Sequence, residues 1–308
     1  MRTTSLLSGT AALALSALLF TACNSEDDTL PVTSSEYVTI QPSVSGEVIT
    51  RAGSTYGQTG DKLYLYYDEA GNTTDGRYAD FRFDGAIWGL GVKSMKWTVL
   101  HEQATGNEHS FYASAPVEAP TAANAVNTDQ SAPSGYKTSD LLIAYKKISK
   151  AATADKYTAL SLDMKHVLAK LTIEVNAKAI ENAVIKSVII RDAVTAYTTA
   201  YTASEETPAT TTVNGSDKAD IKPLVNGSVY NAVLPAQAIQ ESNGITIVIE
   251  VGSQTFTYKP EEAINLSAGK NTTLKLRLAG TGVILGDVSV SGWGEGDIKE
   301  GNIEADQP

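Results

Sequence analysis

An all-β chain of two tandem β-sandwich domains is the architecture predicted by this sequence. Three observations lead there: short β-rich segments recur along the whole chain, turn-forming clusters separate them at roughly ten-residue spacing, and no helix longer than a turn or two is legible. The length of 308 residues fits two domains at about 150 residues each.

Taken in order, Leu6 to Phe20 is an apolar Ala/Leu-rich run behind a single basic residue, Arg2. That is the length of a signal peptide, shorter than the roughly 20 residues a membrane-spanning helix requires. It ends Leu19-Phe20-Thr21-Ala22-Cys23, with a small residue directly before the only cysteine of the chain. The pattern resembles a bacterial lipobox, in which Cys23 is acylated and opens the mature chain; an ordinary signal peptide cut after Ala22 is the alternative. The acidic stretch Asn24-Ser25-Glu26-Asp27-Asp28 follows as a tether.

Tyr37 to Ile40 and Val48 to Thr50 are extended candidates before Arg51. Lys62 to Tyr67 is β-rich and ends in the turn cluster Asp68-Glu69-Ala70-Gly71-Asn72. Ile87-Trp88 and Met95 to Leu100 read as a strand pair, Ser110 to Ala113 as a short strand, and residues 114–139 as a long loop of low hydrophobicity. Leu141 to Tyr145 returns to apolar strand character. In Val167 to Val175, Leu171, Ile173 and Val175 share one face. Val184 to Ile190 is β-branched, and Thr195 to Thr212 is a Thr/Ala/Tyr tract suited to two edge strands. Val229 to Leu234, Ile245 to Val251, Thr255 to Tyr258, Thr272 to Leu278 and Val283 to Val290 complete the strands. Pro260 to Ile264 suits one helical turn. The domain boundary is placed near residue 160.

Composition narrows function. With 24 basic against 35 acidic residues the net charge is −11, unsuited to a phosphate-binding surface, so no nucleic-acid partner is expected. One Cys and three His exclude a disulfide framework and multi-Cys metal sites. His101-Glu102 and Glu108-His109 bracket a loop without established metal spacing. Asp68, Asn72, Asp75, Asp80 and Asp84 lack the order of a calcium loop. Neither Gly89-Leu90-Gly91 nor the glycine-rich stretch from Gly292 to Gly296 opens a helix after a strand, as a phosphate cradle requires. His166, at the head of a strong strand, reads as a packing residue. No catalytic residue, metal or cofactor emerges, and the reading is non-enzymatic. The 14 Tyr leave a carbohydrate platform open, although Tyr64, Tyr66 and Tyr67 suit cross-strand packing equally well.

Several segments together resemble the fimbrillin family of Bacteroidetes-type bacteria, including its Mfa-like branch. They are the lipoprotein start, Thr50-Arg51-Ala52 about thirty residues after Cys23, Asp140 to Ala144, and Met164 to Leu171. Tyr230 to Gln237, Leu266 to Asn271 and the terminal strand ending at Trp293 complete the set. The resemblance implies transthyretin-like sandwiches, export as an outer-membrane lipoprotein, and assembly into type V pili after an Arg-directed protease removes the N-terminal strand. The matching bond here is Arg51-Ala52, whose cleavage would also strip off Cys23.

The organisation expected is therefore a signal peptide over 1–22, a tether and removable strand over 23–51, and sandwiches over 52–160 and 161–308. Val38, Ile40, Val44 and Val48 are the candidate inward side chains of the removable strand. A donor strand would come from the C-terminal region, with Val283, Leu285, Val288, Val290, Ile298 and Ile303 as its apolar positions. After Trp293 the tail is acidic and glycine-rich, a poor donor, which points to a minor or tip subunit. Expected partners are other fimbrillin subunits, in a homo- or hetero-polymer, the outer membrane through lipid on Cys23, and a surface receptor. The competing function is a surface-anchored glycan-binding lipoprotein.

Overall fold

The strands form where β-branched and aromatic residues alternate with polar ones, and they assemble into several sheets in a computed structural model. The structure describes residues 36–44, 57–118, 123–215, 218–240, 242, 244–280 and 282–293. The chain runs through β1 (Ile40–Val44), β2 (Lys62–Tyr67), β3 (Tyr78–Phe83), β4 (Trp88–Leu90), α1 (Trp97–Gln103), β5 (Glu108–Ala115), β6 (Asn124–Ala125), α2 (Pro133–Ser139), β7 (Leu142–Ser149) and β8 (Leu160–His166). It continues through β9 (Ala169–Asn176), β10 (Ile185–Val194), β11 (Ala196–Tyr201), β12 (Ala209–Val213), β13 (Lys218–Ile221), β14 (Leu224–Asn226) and β15 (Val229–Leu234). The last elements are β16 (Ala238–Ile239), β17 (Thr246–Val251), β18 (Gln254–Tyr258), β19 (Ile264–Asn265), β20 (Lys270–Ala279) and β21 (Gly282–Gly292).

A seven-stranded sheet has the order β1-β8-β7-β5-β2-β3-β4. Its inward side chains, Leu63, Leu65, Phe81, Phe111 and Leu162 among them, enclose one core with Trp97 and Leu100 of α1. A five-stranded sheet, β14-β15-β9-β20-β21, and a four-stranded sheet, β13-β10-β17-β18, enclose a second core around Leu171, Ile173, Ile247, Ile249 and Leu274. β8 is the last strand of the first sheet and β9 belongs to the second, with only Val167 and Leu168 between them. The β11–β12 hairpin pairs with β6 and reaches back to the first sheet, where Tyr201 meets Tyr112 edge-on and Glu205 pairs with Lys146 at 3.0 Å.

Two sequence expectations need correction. Met95 to Leu100 is not a strand; α1 begins at Trp97 and buries Trp97 and Leu100, three residues apart on one helical face. Pro260 to Ile264 makes no helical turn, and the chain bends there before β19. The loop over 114–139 is less irregular than its composition suggests. It carries α2, with Pro133 in the first turn, and delivers Val126 and Tyr136 to the second core.

Two glutamines, Gln130 buried and Gln237 half-buried, complete the ladders where strands end. The Gln130 amide accepts from Val233 N–H at 2.8 Å and donates to Val233 C=O at 2.9 Å. Gln237 does the same for Val194, at 2.9 Å in both directions. A side-chain amide presents the same donor and acceptor as a peptide unit, so each glutamine stands in for one residue of a strand.

Candidate functional site

The N-terminal strand and its seat form the candidate site. β1 lies at one edge of the seven-stranded sheet and pairs in parallel with β8, from Ile40 opposite Leu160 to Val44 opposite Met164. Pro42 has no N–H to give a ladder, and an edge strand tolerates that loss. Alternation turns Ile40 and Val44 into the core, and Val38 is buried just ahead of them. They lie in the same core as Leu160, Leu162 and Met164 of β8, Met95 just before α1, and Trp97 at the start of α1. The approach to the strand is fixed as well. Val38 N–H donates to Met95 C=O at 2.9 Å, and Trp97 N–H donates to Glu36 C=O at 3.1 Å. Lys96 Nζ meets Glu36 Oε1 at 2.6 Å and lies over the Tyr37 ring. The Glu36 carboxylate holds the Lys96 ammonium above its ordinary range.

Beneath α1 is a buried polar cluster. The Trp97 indole stacks on Tyr157 with centroids 4.2 Å apart. The Tyr157 hydroxyl bonds His109 Nε2 at 2.6 Å and His101 Nδ1 at 3.0 Å, and accepts from Ala151 N–H at 3.2 Å. His109 Nδ1 bonds the Tyr67 hydroxyl at 3.0 Å. A neutral imidazole, one nitrogen donating and the other accepting, satisfies both hydroxyls. Burial depresses the His109 pKa, helped by the nearby charges of His101 and Lys150. The two His–Glu pairs of the sequence therefore converge through their histidines on a tyrosine, while Glu108 pairs with Lys147.

The other candidates resolve into structural roles. Asp84 accepts Ala86 and Ile87 N–H at 2.8 Å each, which holds its carboxyl below the usual range. Asp80 accepts Lys93 N–H at 2.6 Å, Asp75 pairs with Lys93 at 3.1 Å, Asp68 pairs with Arg77 at 3.6 Å, and Asn72 caps Thr74 N–H. Tyr64 and Tyr66 both stack on Tyr78, whose hydroxyl donates to Glu118 at 2.6 Å. All three of those tyrosines are buried, so no open ring face is offered there. Trp97 is 1% exposed, and Trp88 is half-buried against Phe83.

At the C-terminal end, β21 forms the edge of the five-stranded sheet, paired with β20. Val283 and Val288 lean on the core, whereas Leu285 and Val290 are exposed. The adjoining Trp293 is buried and stacked on His166, whose Nδ1 lies 2.9 Å from the Asp140 carboxylate. Lys165, Thr210, Lys270 and Trp293 are among the residues lining a cleft of about 660 Å³ here. The sequence places His166 in packing but gives no sign of its partners, because Asp140 and Trp293 are remote along the chain. Cys23, Val48, Arg51, Ala52, Ile298 and Ile303 lie outside the described residues.

A many-stranded β protein with a buried edge strand at its N-terminal end and an exposed edge strand at its C-terminal end defines the class. A family model described as Fimbrillin-like matches residues 50–293, and the chain belongs to that family. Among solved structures, a candidate cell adhesion protein from Bacteroides uniformis superposes with a TM-score of 0.61 at 18% identity, covering 84% of this chain and 100% of that one. A second such protein, from Bacteroides ovatus, gives 0.59 at 12% identity, covering 83% and 97%. The tip fimbrial protein Mfa3 from Porphyromonas gingivalis gives 0.47 at 9% identity, covering 78% and 96%. At these identities the likeness concerns the fold alone. No curated protein sequence matches the chain.

Proposed function

We propose that this protein is a fimbrial subunit that assembles by strand exchange once its N-terminal strand is removed. The observation that carries the reading is the position of β1. It is an edge strand with Ile40 and Val44 buried in its ladder and Val38 buried just before it, and it precedes the candidate cleavage bond Arg51-Ala52. The family match begins at residue 50, so β1 stands outside the matched span.

Cutting at Arg51 would release β1, leave the β8 edge with unpaired N–H and C=O groups, and uncover an apolar groove. Each large apolar side chain that refills the groove contributes about 1.5–3 kcal/mol, and ladder hydrogen bonds fix direction and register. The donor is the C-terminal region of another fimbrillin subunit, drawing on Val283, Leu285, Val288, Val290, Ile298 and Ile303. Acyl chains on Cys23 anchor the precursor in the outer membrane at about 0.8 kcal/mol per buried CH₂, and cleavage separates the subunit from them. The mature chain is arranged as two transthyretin-like sandwiches divided between β8 and β9, and serves adhesion as a minor or tip component of the fimbrium.

Treating the purified precursor with an Arg-specific protease tests this. The reading expects a product beginning at Ala52 that forms ladders resistant to SDS. Clean cleavage at Arg51 with a persistently monomeric product would contradict it.

A further inference from the structure

β8 carries two attachments at once. Along Leu160–Met164 it pairs with β1, whereas its ladder with β7 consists of Lys165 opposite Ile143 and His166 opposite Leu142. The last residue of the strand, His166, is also the seat of Trp293: the two rings are parallel within 2° and their centroids are 4.2 Å apart. Asp140 braces the imidazole from Nδ1, and the side chains of the pair are 3% and 4% exposed.

Trp293 matters because the strand before it lies on the surface and buries no side chain fully. No residue of β21 is buried; Ile284 is 44% exposed and Val290 58%. Its single ladder with β20 is interrupted by a bulge between Lys275 and Leu276, where Gly286 is the extra residue. The buried side chain that ties this end of the chain down therefore rests on β8, a strand of the other sheet.

We infer that β8 is a relay between the two ends of the protein: β1 in place seats His166 and through it Trp293, and loss of β1 releases Trp293 and lets β21 leave β20. The inference rests on the strand-exchange reading and adds its regulation, because the C-terminal strand becomes available only in a chain whose own groove is open. A relay needs two arrangements, and pairing with β1 distinguishes two for β8. With β1 present it is an interior strand; without β1 it is an edge held in a ladder at two residue pairs. A precursor that keeps β1 keeps its C-terminal strand at home, and subunits do not pair early.

Hydrogen exchange read by mass spectrometry on peptides covering 282–292 tests the relay in the full chain. Trp293→Ala is expected to speed β21 exchange by about 200- to 5,000-fold, the scale of losing a buried tryptophan. Removal of β1 by an Arg-specific protease, or its expulsion by Ile40→Asp, is expected to speed the same amides. Trp293→Ala in the cut chain then adds no more than about twofold, because both changes release one latch. His166→Asn, which can still donate to Asp140 but removes the stacking ring, gives the same direction and serves if Trp293→Ala fails to fold. Unchanged β21 exchange after loss of β1, or in the Trp293 and His166 variants, overturns the relay. So does a general loss of protection that includes β2 and β5. Chains that form ladders while β21 ignores Trp293 sink the relay alone; coupled exchange in chains that stay monomeric sinks the assembly reading alone.

Discussion

Ile40 lies opposite Leu160 in a parallel pairing, and the N–H of Leu160 donates to the carbonyl of Thr39 at 2.8 Å. Both side chains lie in one core, so the N-terminal edge strand is part of the packing of the first sheet. Shortening Ile40 should show this directly. Ile40→Ala is expected to cost about 2–5 kcal/mol in urea unfolding, within the range for a buried aliphatic truncation. A variant as stable as the parent would mean that β1 contributes little to the closed chain.

The two tryptophans of the N-terminal half should separate under mutation. Trp97 is fully enclosed and stacked on Tyr157, so Trp97→Ala is expected to lose about 3–5 kcal/mol. Trp88, half-buried on the edge strand β4, has less to lose, and Trp88→Ala should cost clearly less. Equal losses in denaturant titrations would contradict these placements.

Acid should weaken the first core through His109. Its folded-state pKa lies below the ordinary 6.5 because the ring is buried, so the unfolded chain takes up the proton first. The stability it contributes is complete above pH 6.5 and is lost as the pH falls from there through the depressed folded value. Thermal unfolding between pH 7.5 and 5 is expected to show a steeper fall for the parent chain than for His109→Gln, which does not titrate in that window. Parallel curves for the two proteins would refute the assignment.

Gln130 tests the idea that side-chain amides complete the ladders. Gln130→Ala leaves the N–H and C=O of Val233 without their partner, at about 1–3 kcal/mol for each group left unmet. Gln130→Glu should also be damaging, since a carboxylate cannot donate to Val233 C=O. A Gln130→Ala chain of parental stability in urea would show that water replaces the amide freely.

Much of the fold is legible in local pattern. Leu171, Ile173 and Val175 alternate in the sequence and are buried together, and the Thr195 to Thr212 tract forms the β11–β12 hairpin. The pattern misleads at Met95, Trp97 and Val99, whose period-two spacing imitates a strand, while the structure buries Trp97 and Leu100 on a helix. α2 is hidden by its Ser/Thr/Gly composition, although Pro133 and the buried Tyr136 carry the signal. The site divides in the same way. Val38, Ile40 and Val44 are readable as inward residues because alternation is a local property. The pairings of Ile40 with Leu160, of His166 with Trp293 and of Gln130 with Val233 join positions more than a hundred residues apart. No period in the sequence encodes such a pairing; packing of the finished sheets selects it.

The replacement of β1 by a strand from another subunit is tested most directly by hydrogen exchange at the β8 edge. The amides of Leu160 to Met164 should be protected in the precursor, exchange freely in freshly cut monomer, and become protected again in the assembled polymer. Polymer in which these amides remain as exposed as in the cut monomer would contradict strand exchange at this site.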